Sequence, residues 1–108
     1  MINHYTQPVG KNSSAVVEVV FKDENKVISV PNSVTWSLTK EDGTEINSRT
    51  NVSVTPGQAS TRILLQGNDL QLFANDSGLR YMIINATYNS VDGLNIPWKA
   101  TISFYVTS

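Results

Sequence analysis

Apolar and polar residues alternate with a period of two over several stretches of this chain, the pattern of strands that bury one face and wet the other. Three stretches carry it most clearly. Val34, Trp36 and Leu38 alternate with Thr35, Ser37 and Thr39. Met82, Ile84, Ala86 and Tyr88 alternate with Tyr81, Ile83, Asn85 and Thr87, within a strand predicted over Leu79 to Tyr88. Trp98, Ala100, Ile102, Phe104 and Val106 alternate with Lys99, Thr101, Ser103, Tyr105 and Thr107. Ala15, Val17, Val19 and Phe21 form a further strand whose other face, Val16, Glu18 and Val20, is also partly apolar. Thr61, Ile63 and Leu65 alternate with Arg62, Leu64 and Gln66, after a β pattern at Val52 and Val54.

Turn formers punctuate these stretches. Lys22 to Lys26 reads as a charged turn, followed by a short extended piece, Val27 to Val30, that ends at Pro31-Asn32. Lys40-Glu41-Asp42-Gly43-Thr44 is a hairpin turn with Glu45-Ile46-Asn47 starting the return strand, and Pro56-Gly57 is another turn. Gly67 to Phe73 breaks the alternation, as expected for a crossing with one helical turn whose Leu and Phe plug one end of the core. Asn89 to Pro97 is predicted to be a long loop at one end. Residues 1–13 read as an N-terminal arm and residues 14–108 as one domain. About seven strands with turn signals every eight to twelve residues predict an all-β, immunoglobulin-like or fibronectin-III-like Greek-key β-sandwich, with a small barrel as the main rival. Edge strands in such a fold are either blunted or used as interfaces.

Composition narrows the function classes. The chain has 108 residues, enough for one core, and the strand-and-turn residues Asn, Ser and Thr are plentiful. A formal net charge of −1 with no Lys/Arg cluster removes the electrostatic basis for nucleic-acid binding. No window approaches the roughly 20 apolar residues of a membrane span. The absence of cysteine excludes disulfides and thiolate metal sites. Met1 to Pro8 has neither the basic segment nor the apolar stretch of a secretory signal, so synthesis in a cytoplasm is expected. The triplets at Asn12, Asn51, Asn75 and Asn85 match the glycosylation pattern and are read as chance matches, because that context is missing.

No catalytic, cofactor-binding or metal residues are assigned. The single histidine, His4, lies in the arm with no partner in view for a triad or a metal site. Asp23, Glu24, Glu41, Asp42, Asp69, Asp76 and Asp92 fall in predicted turns and read as solvated turn acids. Asp23-Glu24-Asn25, Asp69, Asp76 and Asp92 would be the pool for a calcium site between loops, but the spacing of a known calcium loop is absent. Trp36 and Trp98 read as core or core-edge residues, with a sugar-stacking platform as the alternative. Tyr81, Ile83 and Tyr105 are candidates for an exposed contact patch, unless the arm covers them. Asp76-Ser77-Gly78 ahead of Tyr81 is similar to the approach to the tyrosine corner of immunoglobulin domains, although Tyr81 follows the glycine by three residues rather than two.

The run Val34-Thr35-Trp36-Ser37-Leu38-Thr39, the turn Glu41-Asp42-Gly43-Thr44, the stretch Ile46-Asn47-Ser48-Arg49, and Leu79-Arg80-Tyr81-Met82 through Ala86-Thr87-Tyr88 together resemble small immunoglobulin-like virion proteins of tailed bacteriophages. The resemblance spans residues 14–107 and rests on structural motifs. It implies a non-enzymatic capsid decoration, neck or tail accessory protein that binds other virion proteins, in multiple copies on a symmetric assembly. Such a protein needs no cofactor, joins the virion in the host cytoplasm, and can present a face to host-surface glycans. Two function classes follow. One is an interaction module docking by its arm, an edge strand or its end loops, and the other is a carbohydrate-binding module using Tyr or Trp and the Asn-rich loops.

Overall fold

A computed structural model describes residues 2–4, 9–54 and 58–108. The chain is all-β. Its strands are β1 (Ile2–His4), β2 (Val9–Gly10), β3 (Ser14–Val20), β4 (Ser33–Lys40), β5 (Val52–Val54), β6 (Ser60–Gln66), β7 (Leu79–Ser90) and β8 (Gly93–Thr107), with one 3-10 turn at Gly67–Leu70. A mixed, curled sheet runs β1-β8-β7-β4-β5, and β2 joins it on β8. β3 and β6 form a second, two-stranded sheet.

The alternation sets the register. In the larger sheet Val34 stands opposite Ala86, Trp36 opposite Ile84, and Leu38 opposite Met82. Met82 in turn faces Ile102, and Ile84 faces Ala100. A slip of one residue would send each of these side chains to the wet face, so burial holds the pairing. In the smaller sheet Val17 pairs with Ile63 and Ala15 with Leu65. Val17, Val19, Ile63 and Leu65 join Trp36, Leu38, Met82, Ile84, Ile102 and Phe104 in one buried cluster, so both sheets contribute to a single core. Within the predicted arm, residues 2–4 and 9–10 run parallel to β8, Ile2 opposite Thr101 and Val9 opposite Val106.

Three expectations need correction. The return strand at Glu45-Ile46-Asn47 is reduced to an isolated bridge from Thr39 to Glu45. Asn47 and Ser48 take left-handed backbone, which breaks a ladder, while Ile46 is driven into the core. Leu38 keeps its main-chain bonds through this loop, donating to Arg49 and accepting from Ile46. Phe73 does not plug the core: Leu70 does, and Phe73 lies exposed under the Lys40 ammonium, 5.2 Å from its ring. The loop expected from Asn89 to Pro97 is absent as such. β7 and β8 continue past β4 as a ribbon closed by Val91-Asp92, and a bulge between Tyr88 and Ser90 absorbs the irregular sequence. The ribbon contributes to an elongated shape of 48 × 24 × 21 Å. The predicted turn at Pro56-Gly57 lies outside the described residues.

Candidate functional site

The segment from Lys22 to Pro31 packs beside the projecting β7–β8 ribbon, and polar side chains fasten the two together. Asp23 shapes the segment: its Oδ1 accepts from the backbone N–H of Asn25 (2.8 Å) and of Val27 (3.0 Å), and Lys26 takes left-handed backbone. That turn aims Glu24 at the ribbon. The Tyr88 hydroxyl donates to Glu24 Oε2 at 2.6 Å and the Ser90 hydroxyl donates to Oε1 at 2.7 Å. Those two donors, with Asp92 beside them, lower the Glu24 carboxyl to about 2. The same contact with Glu24 pushes Asp92 above its ordinary value and raises the Tyr88 phenol.

Asn32 makes the second fastening. Its Nδ2 donates to Asn89 Oδ1 (2.8 Å) and Asn95 Oδ1 (3.2 Å), and its backbone N–H donates to the Thr87 carbonyl. Asn95 sits in left-handed backbone and donates its own N–H to Asn89 Oδ1. The end of the molecule held in this way carries uncovered aliphatic side chains. Val91 is 94% exposed, Leu94 77%, and Val27, Ile28 and Val30 are each more than half exposed. Below the Glu24 fastening lies an open cleft of about 410 Å³ lined by Val20, Lys22, Asp23, Glu24, Lys26, Tyr88 and Trp98. Trp98 is half-buried there, braced edge-on by Phe21 at 5.1 Å.

Elsewhere two carboxylates are buried, which overturns their reading as solvated turn acids. Asp69 accepts from Arg49 Nε (2.7 Å), Asn47 Nδ2 (2.8 Å) and the Gln66 N–H (3.1 Å). Burial alone would raise its pKa, but these bonds more than offset that and leave it lowered. Asp76 pairs with Arg80, whose guanidinium is fully buried and also donates to the carbonyls of Gln71 and Leu79. The Arg80 hydrogen bonds hold Asp76 well below the usual carboxylate range against the opposing effect of burial. Both acids belong to the scaffold.

The calcium pool is therefore divided: Asp23, Glu24 and Asp92 share one end, while Asp69 and Asp76 are occupied by arginines. Among the described residues no group of three or more His, Asp or Glu is placed to hold a metal ion. Trp36 is buried in the core under Arg49, whose guanidinium carbon is 5.5 Å from its ring. Tyr81 and Ile83 are half-buried and Tyr105 is exposed. The backbone of His4 pairs opposite Ser103, and its side chain lies outside the described residues. Asn12, Asn51 and Asn75 take left-handed backbone, which asparagine tolerates better than most residues. The exposed aliphatic end was not read from the sequence. Val27, Ile28, Val30, Val91 and Leu94 stand among turn formers in the sequence, and their order alone does not separate exposed from buried apolar residues, because burial is a tertiary property.

No protein-family model, curated protein or solved structure matches the chain.

Proposed function

We propose that the chain is a non-catalytic structural component of a bacteriophage virion. It is a capsid decoration, neck or tail accessory protein of immunoglobulin-like sandwich fold, joined to other virion proteins in multiple copies. One observation carries the protein-contact role: five aliphatic side chains, Val27, Ile28, Val30, Val91 and Leu94, stand exposed on two segments that Glu24 and Asn32 have already locked together. Apolar surface held rigid before binding avoids much of the ordering cost of association.

Strand order supports the immunoglobulin-like fold. With β3 to β8 taken in turn as strands B, C, C′, E, F and G, the run β8-β7-β4-β5 corresponds to the G-F-C-C′ sheet of a variable-type domain and β3-β6 to its B-E pair. Trp36 lies buried on the C position, where immunoglobulin domains keep a tryptophan. Two residues after Gly78, where that fold's corner has a tyrosine, Arg80 makes the bond back to the upstream backbone at Gln71. The virion assignment rests on the resemblance of residues 14–107 to phage proteins.

The test is to introduce Val91→Asp and Leu94→Asp into the full chain and measure its incorporation into particles. Side chains this exposed leave stability within about 0.5 kcal/mol. A folded variant lost from particles is the expected result; undiminished incorporation would contradict the role of this end. A second reading, carbohydrate binding, is favoured by the half-exposed Trp98 in a cleft rimmed by Lys22, Asp23, Glu24 and Lys26. Apolar floors with a few convergent polar groups are the usual form of small-ligand sites. Glycan-array binding that disappears in Trp98→Ala would support it, and silence of the wild-type chain would remove it.

A further inference from the structure

The sheet of β3 and β6 is bounded on both sides by strand edges that, among the described residues, no main-chain group of another element meets. Each edge is seven residues long. Proteins normally blunt such edges with proline, lysine, a bulge or very short strands. β3 (Ser-Ala-Val-Val-Glu-Val-Val) and β6 (Ser-Thr-Arg-Ile-Leu-Leu-Gln) carry no Pro, Lys or Gly, and their register is unbroken from Ser14–Gln66 to Val20–Ser60. The other edges are treated differently. β5 has only three residues, and the part of β8 that β1 and β2 leave unpaired carries Pro97 and Lys99. Protection of β3 and β6 is thus limited to one charged residue on each strand and to the Asp69 carboxylate on the Gln66 N–H at one end of β6, and β3 is rich in strand-forming valine.

Charge selects the occupant. Glu18 is the one charged residue of β3 and Arg62 the one charged residue of β6. They stand opposite each other on the outer face, 3.7 Å apart and largely exposed, next to the cross-strand pair Val16 and Leu64. Two β3 edges meeting about a two-fold axis would gather glutamates, and two β6 edges would gather arginines. A β3 edge meeting a β6 edge in antiparallel register sets Glu18 against Arg62 and Val16 against Leu64, repeating the arrangement already inside the sheet.

We propose that copies of this chain associate head to tail, the outer edge of β3 in one pairing with the outer edge of β6 in the next. A contact between two different patches propagates, giving a ring where the rotation closes and a filament where it does not. The inference deepens the reading of the chain as a multi-copy assembly component. Purified chain tests it alone, so a failure here is distinct from a failure to enter particles.

Sedimentation velocity of the full chain over a concentration series should give a mass that rises beyond the dimer, with association weakened by salt. Amides of residues 14–20 and 60–66 should exchange more slowly as concentration rises. Glu18→Lys and Arg62→Glu should each abolish association, and an equimolar mixture of the two should restore it, because each supplies the complementary edge that the other lacks. That recovery also establishes that both variants are folded. A wild-type chain that remains monomeric throughout, an assembly that stops at a dimer, or association indifferent to both reversals would overturn the proposal.

Discussion

Asp76→Ala removes the carboxylate partner of a guanidinium that has no access to solvent. The side chains of Arg80 and Asp76 are 0% and 3% exposed, joined by Nη1–Oδ1 at 3.0 Å and Nη2–Oδ2 at 2.5 Å. In the variant Arg80 retains only the carbonyls of Leu79 and Gln71, and its Nε is already without a partner. The backbone N–H groups of Phe73 and Gly78 lose their acceptor at the same time. Stranding one member of a buried pair costs about 3–5 kcal/mol, whereas an exposed pair is worth about 1 kcal/mol or less. For a domain of this size the larger cost corresponds to a fall in Tm of about 12–20 °C, read by calorimetry or near-ultraviolet circular dichroism.

Two further variants separate pairing from packing. Arg80→Met removes the buried charge itself and leaves Asp76 bonded to Phe73 and Gly78, so it should cost less than Asp76→Ala. The double variant should fall short of the sum of the single losses by about 1–3 kcal/mol. The pH dependence follows from the direction of the shift. Asp76 is held below its ordinary value of 3.8, so its contribution is complete above that pH and is lost as pH falls toward the folded-state value. The acid limb of the stability profile should therefore be shallower in Asp76→Ala than in the wild type. A loss under about 1 kcal/mol with an unchanged acid limb would refute the buried-pair reasoning.

Gly78→Ala should destabilise strongly, by about 2 kcal/mol or more, because φ is +86° and a Cβ would stand 2.2 Å from the Val106 carbonyl oxygen. Gly43→Ala, at φ +89° in open space, should cost only about 1–2 kcal/mol; equal losses in chemical denaturation would contradict the close approach at Gly78. In an NMR titration of side-chain carboxyls, Glu24 should titrate near 2 and Asp92 above 3.8, with Glu24→Gln returning Asp92 toward 3.8; an Asp92 unmoved by that change would dissolve the Glu24 fastening. Trp36→Ala should cost about 3–5 kcal/mol by urea unfolding, since Trp36 is buried between Val34 and Leu38 on β4, and a loss below about 1 kcal/mol would place it outside the core.

Where one face is buried and the other wet, the fold was legible in the sequence: β4, β7 and β8 follow the alternation of Val34 to Leu38, Met82 to Tyr88 and Trp98 to Val106. Legibility failed where backbone detail overrides composition. Asn89, Gly93, Asn95 and Pro97 have the composition of a loop, yet a bulge and one left-handed asparagine let β7 and β8 continue through them. Pro97 is tolerated because β1 and β2 leave the outer edge of β8 unpaired there. Buried Asp69 was hidden because its arginine, Arg49, lies 20 residues away and meets it only in the fold; the four-residue spacing of Asp76 and Arg80 was a local hint of their pairing, but the burial of that pair is set by the packing around it. The exposed end was equally hidden, since nothing in the order of residues distinguishes an uncovered Val91 or Leu94 from a buried one.

Quantitative mass spectrometry of gradient-purified phage particles whose genome encodes the chain tests the proposed virion role most directly. The account predicts the chain in intact particles, at a copy number that is a multiple of the symmetry of the structure it joins. Its absence from particles, with the whole pool left soluble in the lysate, would contradict the assignment.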